Sequence, residues 1–217
     1  MRAIIYTGGE INAANITERP EKGDLVIAAD SGWDNALELG ERPSVLMGDF
    51  DSIKAKKLPS EPEILRVPPE KDLTDTQLAV ELALQRGATE IVIVGGLSGR
   101  LDHTLANLGL LEHLHALGVH AHIADGQNRV RFLRNGSTLI PRGAYAYLSL
   151  LPADDTVKGV EIEGVKYPLQ KAKLTRRNAG YAVSNELTGN CALISVRKGG
   201  IFIIESCDKQ GAVYGRH

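Results

Sequence analysis

Aspartates occur in short polar signatures through the first half of the chain, and most of these signatures follow an apolar run. Such a run is typical of a strand buried in a parallel sheet. Because ligands of open α/β sheets bind at the carboxyl ends of the strands, these carboxylates would share one crevice. They would repel one another unless a cation held them, and Mg²⁺ prefers oxygen ligands that it often shares with substrate phosphates. The pattern therefore predicts metal-assisted chemistry on a nucleotide. The signatures are Ala28-Ala29-Asp30-Ser31-Gly32, Gly48-Asp49-Phe50-Asp51-Ser52, Lys71-Asp72-Leu73-Thr74-Asp75, Gly95-Gly96-Leu97-Ser98-Gly99-Arg100 and Leu101-Asp102-His103.

The clearest pair of candidate metal ligands is Asp49 and Asp51, which follow the apolar run Val45-Leu46-Met47. In an extended segment, residues two apart point the same way, with Cα atoms roughly 6.5–7 Å apart. Both carboxylates could therefore bind one cation, or one could bind it while the other orients water. A polar turn at the end of a strand is the structural alternative.

Lys71 and Asp75 lie at the start of a predicted helix. Lys71 is a cation placed where a phosphate could bind. Asp75 falls in the first helical turn, where the helix dipole favours an anion. Helix stabilisation is therefore an alternative role for Asp75, and simple solvation is one for Lys71.

The glycine-rich segment from Gly95 to Arg100 follows an apolar run and precedes a helical pattern. Its glycines permit close backbone approach, its amides can bind an anion, and Arg100 can fork onto phosphate oxygens. It matches neither the Walker A nor the dinucleotide-binding fingerprint. Asp102 could cap the following helix, and His103 could be a base or a helix-end histidine.

Short apolar runs alternate with helical patterns up to about residue 125, which predicts a doubly wound, mostly parallel sheet. Leu78 and Leu82 lie one turn apart and are predicted to face this sheet. Thr74 and Gln77 form a potential capping box. The predicted strands are Ala3–Tyr6, Leu25–Ala29, Val45–Met47, Ile64–Val67, Ile91–Val94 and Ala121–Ala124, and the predicted helices are Trp33–Leu39, Thr74–Arg86 and Asp102–Leu117, the last with Leu101, Leu105, Leu108 and Leu111 on roughly one stripe.

The character of the sequence changes after Gly126, where short β runs are separated by turns and no useful helical period appears. We therefore predict an α/β domain over residues 1–125 and a small all-β, sandwich-like domain over residues 126–217. The predicted strands of the second domain are Asn128–Leu133, Leu139–Ile140, Tyr145–Leu151, Val160–Ile162, Leu193–Val196 and Ile201–Glu205.

Charge and composition indicate a cytoplasmic protein. The net charge of −2 offers no general attraction for nucleic acid or an anionic membrane, so neither is expected as a partner. Cys191 and Cys207 are too few for a disulfide framework. The first residues run directly into a strand pattern, without a recognisable signal peptide. Four histidines at positions 113, 115, 120 and 122 leave a zinc site as a further alternative.

Taken together, the signatures and a late Ser184-Asn185-Glu186 resemble the thiamine pyrophosphokinase family in order and spacing, over nearly the whole chain. The resemblance implies transfer of the terminal pyrophosphoryl group of ATP to the hydroxyethyl oxygen of thiamine, giving thiamine diphosphate and AMP. It also implies a homodimer, with each site built between the α/β domain of one subunit and the β domain of the other.

The resemblance implies roles for individual residues. It assigns Mg²⁺ binding to Asp49, Asp51 and Asp75, which with Asp72 form the catalytic set. It also implies that ATP binds in a group made of Asp30, Lys71, Ser98, Arg100, Asp102 and His103. Ser184 and Asn185 match the turn that contacts thiamine.

The chain departs from the family near that turn. Family members commonly carry a tryptophan shortly before the Ser-Asn pair, whereas Trp33 is the only tryptophan here. We therefore expect thiamine to be held mainly by Ser184, Asn185 and apolar neighbours, with Tyr181 as a weaker aromatic contact. Two other functions stay open at this point: another Mg²⁺-dependent nucleotide enzyme on the same scaffold, and a non-catalytic nucleotide or thiamine sensor.

Overall fold

A parallel sheet forms the centre of the first half of the chain, with the strand order β4-β3-β2-β1-β5-β6. The computed structural model describes residues 1–50, 62–68, 72–178 and 180–208. The chain divides into two compact units, Met1–Gly126 and Gln127–His217. The strands of the first unit are β1 (Arg2–Tyr6), β2 (Leu25–Ala29), β3 (Val45–Gly48), β4 (Glu63–Arg66), β5 (Glu90–Val94) and β6 (His120–Ala124).

The central strands are apolar at nearly every position because both of their faces are covered. Ile5 of β1 pairs with Ile27 of β2 on one side and with Ile93 of β5 on the other, and all three are fully buried. A strand with one solvated face would alternate between apolar and polar residues, and these do not. Among the described strands, β4 is an edge strand that pairs with β3 alone, and it is largely exposed.

The helices of the first unit are α1 (Gly32–Glu38), α2 (Asp75–Gln85) and α3 (Leu101–Ala116), and a turn of 3-10 helix occupies Ala13–Asn15. Helix α1 packs Ala36 into a cluster with Ile4 and Tyr6 of β1. Helix α2 contacts β1, β2 and β3. Its N-cap is Thr74, whose side chain accepts the Gln77 N–H at 3.2 Å, as the capping pattern predicts.

The buried faces of α2 and α3 are shifted from the predicted ones. Leu78 and Leu82 of α2 are only half-buried. On α3, Leu101 and Leu105 are 70% and 59% exposed, so the first turns of the predicted leucine stripe face solvent. Leu111, the last leucine of the predicted stripe, is buried as expected. The other buried positions are Thr76, Ala79, Val80 and Ala83 on α2, and Asn107, Leu110 and Leu114 on α3.

The second unit consists of two antiparallel sheets, with the orders β7-β13-β9 and β11-β10-β12-β8. Leu148, Ile201, Val160 and Ile194 contribute to one apolar cluster that draws on both sheets, which makes the unit a sandwich. Its strands are β7 (Asn128–Arg134), β8 (Ser137–Pro141), β9 (Tyr147–Pro152), β10 (Thr156–Glu163), β11 (Leu169–Thr175), β12 (Cys191–Lys198) and β13 (Gly200–Ser206), with a 3-10 turn at Gly180–Ala182.

Strand β11 is absent from the sequence prediction. It is an edge strand with register shifts against β10, and Lys171 within it adopts a positive φ of 47°. The irregularity breaks the two-residue periodicity by which a strand is recognised. The predicted fold class is nevertheless confirmed: a parallel sheet with helices precedes a smaller antiparallel sandwich. Within the described residues, no helix combines the length and apolar character needed to cross a membrane.

Tyr6 has a fully buried side chain whose hydroxyl makes no hydrogen bond within the described part of the chain. Burial also raises the pKa of this phenol, which keeps it neutral at all ordinary pH values. A buried hydroxyl without a partner costs about 1–3 kcal/mol. We therefore predict that Tyr6→Phe leaves the free energy of unfolding unchanged or raises it by about 1 kcal/mol.

Urea unfolding measures this effect, with Tyr181→Phe as the matched control. The Tyr181 hydroxyl donates to the Lys173 carbonyl at 2.6 Å, so its removal should lower stability. A loss of more than about 1 kcal/mol in Tyr6→Phe would show that the hydroxyl has a stabilising partner after all.

Candidate active site

A cleft of about 340 Å³ opens at the carboxyl edge of the parallel sheet. Its walls come from five segments that are distant in sequence: Thr7–Gly9 after β1, Asp30 and Ser31 after β2, Asp49 after β3, Thr74–Thr76 at the start of α2, and the loop after β5 with the first residues of α3. The parallel connections bring these segments together, since each strand ends at the same edge.

Six of the predicted site residues line this cleft, namely Asp30, Asp49, Asp75, Ser98, Arg100 and His103. Asp72 is exposed ahead of α2, and Asp102 is exposed in the first turn of α3, so these two lie beside the cleft. Asp51 and Lys71 fall outside the described residues.

The three cleft carboxylates sit on different elements. Asp30 follows β2 with a positive φ of 48°, and its N–H donates to the Met47 carbonyl at 2.8 Å. That bond ties the end of β2 to the end of β3, from which Asp49 extends. Asp75 is the first residue of α2, directly after its N-cap. The cleft therefore gathers acidic side chains where helix amides and strand ends also meet.

A glycine-rich segment that the sequence analysis missed forms one wall. The Gly8 carbonyl accepts the Gly96 N–H at 3.1 Å, which joins the loop after β1 to the loop after β5. Asn35 of α1 donates to the carbonyls of Thr7 and Gly9 at 2.8 and 3.0 Å. The signal for this wall was available in the sequence, because Thr7-Gly8-Gly9 directly follows the apolar run of β1.

Three buried polar side chains form the base of the cleft. Thr7 and Thr76 place their hydroxyl oxygens 2.8 Å apart, and Asn107 of α3 donates to the Gly96 carbonyl at 2.9 Å. All three line the cleft. No sequence motif marks them, since isolated threonine and asparagine residues are mostly exposed.

Arg100 is forked onto Asp102 rather than extended alone. Its Nε and a terminal nitrogen lie 3.1 and 2.6 Å from the two carboxylate oxygens. This hydrogen bond lowers the pKa of Asp102 and raises the pKa of Arg100. Both groups are largely exposed, so the pair contributes little to stability. It does hold a guanidinium at the cleft wall.

The Ser184-Asn185 pair lies in the second unit, on a turn held by Asn185 itself. The side-chain Oδ1 of Asn185 accepts hydrogen bonds from the backbone N–H groups of Tyr167 and Glu186, each at 3.0 Å. Its side-chain Nδ2 donates to the backbone carbonyl of Tyr167 at 2.7 Å. The side chain is buried, and its amide is thus largely used within the protein. Ser184 is exposed with a positive φ of 56°.

The histidines do not assemble into a metal site. His122 pairs with the buried Glu18 at 3.4 Å, and His113 lies 4.0 Å from Glu81. Across the described ranges, no group of three or more histidine, cysteine, aspartate or glutamate side chains is arranged to hold a metal ion by itself.

A parallel sheet with an acidic, glycine-lined cleft at its carboxyl edge, followed by an antiparallel sandwich, is typical of an α/β enzyme that acts on a nucleotide. The family comparisons identify this class more closely. Residues 17–123 match the model of the thiamin pyrophosphokinase catalytic domain, and residues 137–201 match that of the thiamin pyrophosphokinase vitamin B1 binding domain.

Individual relatives agree with the family models. The chain is 30% identical over 210 residues to the thiamine pyrophosphokinase of Bacillus subtilis, covering 94% of this chain and 98% of that protein. The crystal structure of a thiamine pyrophosphokinase from Bacillus subtilis superposes with a TM-score of 0.85 at 28% identity, covering 96% of this chain and 100% of that one. The crystal structure of a thiamin pyrophosphokinase family protein from Enterococcus faecalis has a TM-score of 0.84 at 31% identity, again covering 96% of this chain and 100% of that one.

The chain belongs to the thiamin pyrophosphokinase family. The resemblance inferred from the motifs is thereby confirmed, as is the predicted enzyme activity: transfer of a pyrophosphoryl group to thiamine, with ATP as co-substrate.

Proposed function

We propose that the cleft of the first unit binds the polyphosphate of ATP together with Mg²⁺, and that the second unit binds thiamine and forms the dimer. The observation that carries this proposal is that Asp49 and Asp75 line one cleft with the glycine-rich walls and Arg100, although they are remote in sequence. Amides and an arginine suit phosphate oxygens, and carboxylates suit a hard cation.

The carboxylates that line the cleft are of the ligand type that Mg²⁺ prefers. Asp49 and Asp75 would hold the ion, with Asp51 as a third ligand from outside the described residues. Mg²⁺ usually takes only one or two carboxylates and completes its shell with water and substrate phosphates. A dedicated protein cage is therefore not required. When bound, the ion would neutralise phosphate charge and lower the pKa of a coordinated hydroxyl.

The residues of the chain would supply alignment and proton transfer. Pyrophosphoryl transfer needs the thiamine alcohol in line with the β-phosphorus, with charge on the bridging oxygens stabilised. Arg100 would exchange its fork on Asp102 for phosphate oxygens, and Ser98 and His103 would contact the nucleotide alongside it. Lys71 would bind phosphate, and Asp30 would support the metal ligands. A carboxylate of the set Asp49, Asp51, Asp72 and Asp75 would accept the proton of the alcohol.

Chromatography of the reaction products tests this proposal. With ATP, Mg²⁺ and thiamine, we expect thiamine diphosphate and AMP in equal amounts. Release of ADP with thiamine monophosphate would contradict pyrophosphoryl transfer. Undiminished turnover after removal of divalent ions by a chelator would contradict the metal.

For thiamine we propose the turn at Ser184 and Asn185, with Tyr181 as the nearby aromatic. Ser184 and Tyr181 are exposed, whereas Asn185 shapes the turn through its bonds to Tyr167. We predict that Ser184→Ala and Tyr181→Ala raise the KM for thiamine a few-fold to ten-fold, because each removes about one contact. Steady-state kinetics at saturating ATP measure this. Unchanged KM and kcat in both variants would place the thiamine site elsewhere.

We further propose a homodimer in which each active site includes the sandwich unit of the partner. Leu139 and Leu193 support this, because they face each other across β8 and β12 and are 61% and 39% exposed. Strand β8 is also an edge of its sheet, and exposed apolar edges are normally covered. We place this protein in the cytoplasm, since its two cysteines do not form a disulfide framework.

Leu139→Glu should convert the dimer to a monomer, because a charge would be buried against the apolar partner surface. Light scattering should then report a mass near 23.4 kDa instead of twice that value. Leu117→Glu is the control, since Leu117 is an exposed leucine of the first unit and its replacement should keep the dimer. A fully active monomeric wild type would contradict the shared site.

A further inference from the structure

The threonine pair at the base of the cleft has one hydroxyl hydrogen more than it uses. Thr7 and Thr76 are 7% and 6% exposed, and their oxygens are 2.8 Å apart. A hydroxyl carries one hydrogen and two acceptor sites, so one of the two hydrogens lies between the oxygens. Across the described ranges, neither side chain makes another hydrogen bond.

The second hydrogen belongs to whichever threonine accepts within the pair. Leaving a buried hydroxyl donor unsatisfied is unfavourable, and both threonines line the cleft. The backbone around the pair is fixed from both sides: the Thr7 N–H donates to the Val94 carbonyl at 3.0 Å, and Thr76 is in the first turn of α2. The donor is thus held in place before a ligand arrives.

The surroundings select an anionic acceptor. The first turn of α2 presents the positive end of the helix dipole, which favours an anion. Asp75, adjacent to Thr76, is itself negative and would repel phosphate. A neutral hydroxyl donor can bind a phosphate oxygen without neutralising the carboxylates that hold a cation. Phosphate oxygens are also the strongest acceptors that ATP or thiamine would bring.

We infer that the Thr7–Thr76 pair donates its second hydroxyl hydrogen to a phosphate oxygen of ATP, an inference that rests on the proposed nucleotide site. The pair then acts as a positioning element of the polyphosphate. It joins β1 to α2, so the phosphate is aligned relative to the strand end and to the helix that carries Asp75.

The double variant Thr7→Val/Thr76→Val tests the inference, because valine keeps the shape of threonine and removes both hydroxyls. We expect kcat/KM for ATP to fall by about ten- to a hundred-fold, the effect of a hydrogen bond to a charged group. The KM for thiamine should stay unchanged. Thr7→Ser/Thr76→Ser retains the hydroxyls and should stay within a few-fold of the wild type. Thr89→Val, at the exposed amino edge of β5, should have no effect.

Melting temperatures separate this role from a purely structural one. Without nucleotide, the valine double variant should melt at or above the wild-type temperature, since replacing both partners with apolar isosteres is close to neutral. The rise in melting temperature with Mg²⁺ and a non-hydrolysable ATP analogue should be smaller than in the wild type.

Several outcomes would overturn the inference. One is a valine double variant with wild-type kcat/KM for ATP and a wild-type response to the analogue. Another is a variant that loses stability without nucleotide and loses rate equally for both substrates, which indicates packing alone. If the double variant does not fold, the two single valine variants permit the same comparison. A wild type that shows no thermal response to the analogue would contradict the proposed nucleotide site itself.

Discussion

Asp49→Asn and Asp75→Asn should each lower kcat for thiamine diphosphate formation by about a thousand-fold, which corresponds to about 4 kcal/mol of transition-state stabilisation. Asparagine preserves the size of the side chain but removes the negative charge that would hold a divalent cation. Both residues line the cleft, so both losses act on the same site. The measurement is initial rate at saturating ATP and thiamine over a range of Mg²⁺ concentrations.

Helix α1 provides a matched control for the Asp75 variant. Asp34 occupies the first turn of α1 as Asp75 occupies that of α2, but only Asp75 lines the cleft. Asp34→Asn should therefore keep activity within about two-fold, although both variants lose the same favourable interaction with a helix dipole, about 0.3–1 kcal/mol. Equal activity losses in the two variants would indicate a helix effect. Near-normal turnover of Asp49→Asn at low Mg²⁺ would remove that residue from the metal site.

Gly32→Ala should lower the free energy of unfolding by about 3 kcal/mol or more, through a clash of a new methyl group with backbone. Gly32 begins α1 in direct contact with the end of β1. A Cβ there would overlap the Tyr6 carbonyl and come within 2.7 Å of the Thr7 Cα. Neither contact is with a flexible side chain, so relief requires movement of the helix. The midpoint and slope of urea unfolding report the effect.

Gly109→Ala is the control, and we expect it to raise the free energy of unfolding instead of lowering it. Gly109 is an exposed residue within α3, and a Cβ there meets nothing within 4 Å. Alanine at an exposed helical position is more favourable than glycine by about 1 kcal/mol, so this variant should be more stable. An unchanged midpoint in Gly32→Ala would show that α1 can be displaced from β1 at low cost.

The sequence was sufficient to predict the strands of the first unit, because strands covered on both faces are apolar throughout. It was also sufficient to place Asp30, Asp49 and Asp75 at one edge, since parallel strands end together. It was insufficient to determine the orientation of α3. Leucines occur on more than one side of that helix, and only packing decides that Leu110 and Leu114 are buried while Leu101 and Leu105 face solvent.

The supporting residues of the site were less predictable than the charged ones. Thr7, Thr76 and Asn107 are ordinary polar residues in sequence, and their significance depends on burial and on contacts between distant segments. Asn185 was predicted as a substrate ligand by motif alone, and the sequence carries no sign that its amide is bonded to Tyr167 and Glu186.

The Asn185 turn has a consequence for the thermodynamics of recognition. Its side chain joins two loops, and its backbone exchanges two hydrogen bonds with Leu148, at 2.8 and 3.0 Å. The unusual backbone angle of Ser184 is therefore imposed during folding. A substrate that meets this turn finds it preorganised, and little conformational entropy remains to be lost on association. Loosening the turn would weaken affinity through an entropic penalty, without removing a single contact to the bound molecule.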